Sequence, residues 1–232
     1  MARYTVAYSA FILRVAEINT LLTMAKVLET SDPIGNAMES NAICRGAIVL
    51  LCSHVEGYIK ELGELTLASI TEQQICRSKI PNTVAYHISK NFVADIKNTA
   101  DAAKIADHLS NFIDSDLSFW RSNGPIEDQI PEDRFNKGFN SPSFGKIATY
   151  LGRFGYAEYK RDLGFKLSGD FQVCKTLIDH IVDVRNKIAH GNPTISKTPS
   201  DLMDAVKTTR LFCRATDEIF AGWCRVNLCT IR

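Results

Sequence analysis

Arg185 and His190 stand five residues apart in the stretch Ile181–Asn192, which reads IVDVRNKIAHGN. Together they suit phosphate chemistry. A guanidinium keeps its charge at any pH a protein meets, and its planar fork fits two phosphate oxygens. An imidazole is the side chain whose ordinary pKa lies closest to neutrality, so it can both take and give a proton.

The segment that positions them reads as an amphipathic helix. At about 100° per residue, Cys174, Leu177, Ile178, Ile181, Val184 and Ile188 fall on one face. Arg185 falls on the same face, one turn after Ile181 and just under one turn before Ile188. A charge that cannot be neutralised must be paired inside, reach a water-filled cleft or meet a partner molecule. Gly191 just past the last turn, with Pro193 soon after, is a helix stop signal, so His190 is expected at or beside the helix C-terminus. Five residues of ideal helix rotate by about 140°, so Arg185 and His190 of one chain would not share a face. Either the helix ends before His190 and the chain turns it back, or the two residues act across a two-fold axis. An arginine within an apolar stripe also suits an isologous interface.

The run Arg185-Asn186-Lys187-Ile188-Ala189-His190 resembles the signature of HEPN domains: an Arg, a polar residue, a short spacer and a His near the end of the last core helix. Arg45 to Leu62, RGAIVLLCSHVEGYIKEL, is similar to the long early helix of the larger bacterial HEPN proteins. The resemblance implies an all-α, HEPN-like helical bundle that forms homodimers and is often a metal-independent endoribonuclease. Many such proteins are toxins or anti-phage defence effectors. The resemblance also implies Arg185 and His190 as catalytic residues, with motif copies from both protomers in one cleft. Asn186 would orient the Arg or a phosphate, and Lys187 joins it among the RNA-binding residues. RNA would then be cut by its own 2′-hydroxyl. A base removes that proton, an acid protonates the 5′-oxygen, and a cation stabilises the charge gathering on the phosphorus oxygens. The products would carry a 2′,3′-cyclic phosphate, and no metal or other cofactor is expected. RNA is the implied substrate, and an antitoxin or defence-system protein a further partner. The alternative is a non-catalytic HEPN-type module for dimerisation or for nucleotide or RNA binding, serving a partner protein.

Composition bounds this reading. At 232 residues the chain is expected to form a single HEPN-like domain. Its net charge of +1 provides no global field to recruit nucleic acid, so any RNA contact must be local. The 7 Cys show no C-x-x-C spacing and lie partly on apolar helical stretches. They read as the reduced thiols of a cytoplasmic protein. The 5 His show no ligand spacing such as H-E-x-x-H. Arg14 and Glu17 interrupt the N-terminal apolar run, so neither a membrane span nor a signal peptide is expected there.

Helical periods organise the rest. A first helix is expected over residues 3–30, broken by Ser31-Asp32-Pro33. A long helix from Asn36 to Ser69 is apolar almost all round between Ile43 and Val55, the mark of a central helix packed on two sides. Arg45 and Glu56, eleven residues apart, return to nearly the same face of it. Either neighbouring helices satisfy both charges, or one of them lines a cleft with Arg185. A helical stretch from Pro81, broken near Ser89, continues through Phe112. The segment 114–142 reads as an acidic loop insert, and its acidic stretch Asp114–Asp133 is expected to be mobile or to hold a regulator and not to line an RNA path. Ser143 can cap a helix from Phe144 to Phe154. Lys146, Arg153, Lys160, Arg161 and Lys166 alternate with Tyr150, Tyr156 and Tyr159. That mixture suits single-stranded RNA if the rings are exposed and an ordinary core if they are not. The motif helix is expected over 170–189, and Pro199-Ser200-Asp201 starts a final helix.

Overall fold

The structure, a computed structural model, describes residues 4–121, 123–192 and 196–232. Pro193, expected to help stop the motif helix, lies outside the described residues. Among those residues the chain is all-α: α1 (Val6–Ser31), α2 (Ala37–Glu72), α3 (Asn82–Asn98), α4 (Ala102–Arg121), α5 (Glu132–Asn136), α6 (Phe144–Gly152), α7 (Tyr159–Leu167), α8 (Phe171–Ala189) and α9 (Pro199–Asn227).

α1 and α2 form the hairpin on which the other helices pack. The Thr5 hydroxyl caps α1 by accepting from the Tyr8 N–H at 3.2 Å. At the other end the Asp32 carboxylate accepts from the N–H groups of Ile34 and Gly35 and closes the turn. Phe11, Val15, Ile18 and Leu22 recur at helical spacing and are buried. The middle of α2 buries Cys44, Ala47, Ile48, Leu51, Cys52, Val55, Tyr58 and Ile59, and α1, α8 and α9 cover it. By length and composition α2 could cross a membrane; here three helices cover it, which gives the same apolar run the role of a core. Gly63 lets α6 approach: a Cβ there would stand 2.0 Å from the Tyr150 hydroxyl oxygen.

α9 opens with a reciprocal cap. The Thr198 hydroxyl accepts from the Asp201 N–H at 3.1 Å, and the Asp201 carboxylate accepts from the Thr198 N–H at 3.3 Å. Further along, buried Asp217 joins α9 to the start of the chain. It accepts from the Thr5 N–H at 3.0 Å, from the Thr5 hydroxyl and from the Tyr58 hydroxyl.

Three sequence expectations change. The break near Ser89 is absent: α3 runs on to Asn98 because the Ser89 hydroxyl bonds outward to Asp116 at 2.6 Å rather than competing with the helix. The acidic segment 114–142 is less of a loop than its composition suggested, since α4 continues to Arg121 and α5 occupies Glu132–Asn136. Asp116 is buried and ion-paired with Arg134, which fastens α4 to α5. Finally, Tyr150, Tyr156 and Tyr159 are core residues, and Arg153 is buried over the Tyr150 ring. The basic and aromatic stretch therefore offers RNA no stacking platform.

Candidate functional site

α8 carries the motif as one uninterrupted helix. His190 caps it, its N–H bonding to the Asn186 carbonyl at 2.9 Å. Gly191 follows at φ +76°, the left-handed conformation that ends helices, and its N–H reaches the Ile188 carbonyl at 3.0 Å. The chain therefore does not turn His190 back toward Arg185. Within one protomer the two side chains leave the helix about 140° apart.

Arg185 is half-buried beside Val184 and Ile181. Its Nη2 donates to the Ser141 hydroxyl at 2.8 Å. The Cys52 thiol is a second hydrogen-bonding neighbour. Burial raises the pKa of that thiol, with Arg185 opposing, so the sulfur stays protonated and supplies no countercharge. Glu56 stands one turn further along α2. Its carboxylate accepts from the Ser141 N–H at 3.0 Å and from Lys60 Nζ at 2.7 Å. Ser141 thus sits between Glu56 and Arg185, fixed by one and holding the other. It does so at φ +53°, a strained conformation for a residue other than glycine. Among the described residues no carboxylate oxygen lies within 4.0 Å of the Arg185 guanidinium.

The opposite face of α8 is exposed and polar. His180, Asp183, Lys187 and His190 recur along it at helical spacing. Lys187 pairs with Asp183 at 2.7 Å. Lys197 Nζ lies 3.1 Å from His180 Nε2. Burial and then Lys197 lower the His180 pKa, which keeps its ring neutral and able to accept from the ammonium.

Of the residues singled out from sequence, the fold links Arg185 to Glu56 through Ser141 and sets His190 and Lys187 on the other side of α8. Asn186 is half-buried between the two faces. Arg45 is half-buried on α2, about 16 Å of helix before Glu56. Ser141 is the residue that sequence reasoning missed. It lies 44 positions from Arg185 in a stretch that reads only as a loop, and no spacing rule connects the two.

Residues 11–222 match the model of the RiboL-PSP-HEPN family. The chain belongs to that family. No curated protein and no solved structure matches it. Membership covers nearly the whole HEPN bundle, from the first turns of α1 to the last turns of α9, and the Arg185–His190 stretch falls inside the matched span. For a HEPN domain it points to RNA cleavage or nucleotide binding as the class of role.

Proposed function

We propose that this HEPN protein is a metal-independent endoribonuclease that works as a cytoplasmic toxin or anti-phage effector, with its active centre completed across a homodimer. The observation that carries this reading is the state of Arg185. A buried or half-buried guanidinium ordinarily has its donors taken up by a carboxylate, as Arg134 does by Asp116, or by several carbonyl and amide oxygens, as Arg77 does. Here a hydroxyl and a thiol hold it, and its charge remains available to a phosphate.

In this mechanism His190 moves the proton, taking it from the 2′-hydroxyl and, as imidazolium, delivering it to the departing 5′-oxygen. Arg185 stabilises the negative charge that builds on the non-bridging oxygens between those two events. The phosphorus–oxygen bond to the 5′-side breaks as the bond to the 2′-oxygen forms, leaving a 2′,3′-cyclic phosphate and a 5′-hydroxyl. Because the two side chains of one protomer diverge, the phosphate meets Arg185 of one subunit and His190 of the other. An antitoxin or defence-system protein is the expected regulator.

The test is cleavage of total RNA in EDTA by the purified protein, with Arg185→Ala, Arg185→Lys and His190→Ala alongside, each checked for fold and for dimeric mass by light scattering. The expected result is chelator-resistant cleavage lost in all three variants, including Lys, whose ammonium lacks the planar fork. Cleavage that stops with EDTA or persists in His190→Ala would sink the mechanism. It would favour the second reading, a dimerisation or nucleotide-binding module, which the wide angle between Arg185 and His190 also accommodates.

A further inference from the structure

We propose that the groove at the seam of α1 and α9 is a second phosphate-binding site, one that takes several linked phosphates: an RNA strand or a free polyphosphate. It lies at the far end of α8 from the motif. Asp170 at its edge precedes the first residue of α8 and His190 follows the last, a separation of about 30 Å at the ordinary helical rise.

The groove measures about 590 Å³. Lys207, Arg210 and Arg214 line it from α9 at spacings of three and four residues, which puts all three on one exposed face. Among the described residues none of them has a carboxylate oxygen within 4.0 Å. From the first to the last they span about 10 Å of helix, too far for a single phosphate and suited to two or three in a chain.

A second, independent feature points the same way. Tyr8 reaches the groove from α1 although only 7 % of it is exposed, and its hydroxyl has no hydrogen-bond partner among the described residues. That hydroxyl is the part of the side chain left open to the groove, where an anion can meet it. Burial pushes its pKa up to about 12, against the pull of Arg210 and Arg214, so it remains a donor and can bond to an anion. Beside it the Tyr4 ring, 38 % exposed and 4.9 Å from Tyr8 between centroids, offers a face to a base. Asp170 and Asp204 also line the groove. They hold its net charge to +1, which disfavours a diffuse polyanion trap and leaves recognition to placed donors.

The experiment reads binding without cleavage and so stands or falls independently of the Arg185–His190 mechanism. A fluorescent 2′-O-methyl oligonucleotide, which lacks the attacking hydroxyl, is titrated against the full chain and followed by anisotropy. Unlabelled tripolyphosphate and hexaglutamate serve as competitors. Arg210→Ala/Arg214→Ala should weaken binding at least tenfold and Tyr8→Phe several-fold, with thermal unfolding little changed. In the double variant the slope of log affinity against log salt should flatten by about 1.4, roughly 0.7 for each phosphate that an arginine no longer neutralises. Displacement of the oligonucleotide by tripolyphosphate supports the site and identifies free polyphosphate as sufficient. Resistance to tripolyphosphate, with the variant effects intact, supports it with an RNA strand as the occupant. No binding by the wild-type chain, unchanged affinity in the double variant, or equal displacement by hexaglutamate would overturn it.

Discussion

Arg134 and Arg185 are both half-buried arginines; Arg134 belongs to the stretch of chain between α4 and α6, and Arg185 reaches that stretch at Ser141. They differ in what their donors meet. Arg134 bonds through Nε to the Ile88 carbonyl at 3.0 Å, through Nη1 to Ser115 at 3.3 Å and through Nη2 to the buried Asp116 carboxylate, with Phe92 stacked beneath it. Arg77 is used up in the same way by the carbonyls of Phe119 and Ile80 and by the Asn82 side chain. Arg134 ties α5 to α3 and α4, and Arg77 ties the turn before α3 to α4. Among the described residues Arg185 touches one hydroxyl and one thiol and no carboxylate. Residue type alone would class all three alike; the accounting of donors separates a structural arginine from one held ready for a ligand.

The widest separation should come from truncating each. Arg134→Ala leaves the Asp116 carboxylate buried without its counterion and should cost about 3–5 kcal/mol in denaturant unfolding. Arg185→Ala should change stability by no more than about 1 kcal/mol, since its loss orphans only neutral groups. Equal destabilisation by the two would break the comparison. In cleavage the order reverses: Arg185→Ala should lower the rate about 10²–10³-fold, the typical effect of removing one donor to a transition-state oxyanion. Any folded Arg134 variant should retain most of its activity per folded molecule.

A smaller effect tests whether Ser141 positions Arg185. Ser141→Ala should reduce cleavage about tenfold, chiefly in kcat, because the guanidinium loses its orienting acceptor while its charge stays. Ser141→Gly should lose as much activity but gain up to about 1 kcal/mol of stability by accepting the positive φ without strain. A glycine variant as active as wild type would remove Ser141 from the site.

The smallest effect is a pH dependence confined to the Arg134 side. Burial alone would raise the Asp116 carboxyl, but hydrogen bonds from Arg134, Ser115 and Ser89 outweigh it and hold it below the usual carboxylate range. A carboxyl whose folded pKa is depressed contributes stability above its unfolded value, near 4, and loses it as pH falls through the folded one. Acid unfolding followed by circular dichroism should therefore be less steep in a folded Arg134→Gln variant, in which protonating Asp116 relieves a buried charge instead of breaking a pair. Identical acid profiles would show that the pair contributes little.

The sequence by itself determined the parts of this protein that depend on near neighbours. The apolar period of residues 174–188, the Gly191 stop, the all-round apolar middle of α2 and the Pro199-Ser200-Asp201 start are local patterns, and each helix formed within a few residues of where its pattern places it. Helix arithmetic set Arg185 and His190 about 140° apart only if the helix ran straight to His190, and the unbroken α8 decided that it does. Tertiary structure decided what depended on distant partners. The eleven-residue spacing offers both Arg45 and Glu56 to a cleft; packing of the 136–144 stretch against α2 and α8 brings Glu56 to Ser141 and Ser141 to Arg185. Tyr150, Tyr156 and Tyr159 alternate with basic residues in a way that fits an RNA surface or a core equally well, and their burial settles it for the core. Tyr8 and Arg210 lie some 200 positions apart and share a groove only because the chain folds α1 back onto α9. Secondary structure is written in contacts a few residues long, whereas the partner of a given charge or hydroxyl is chosen by the burial of side chains elsewhere.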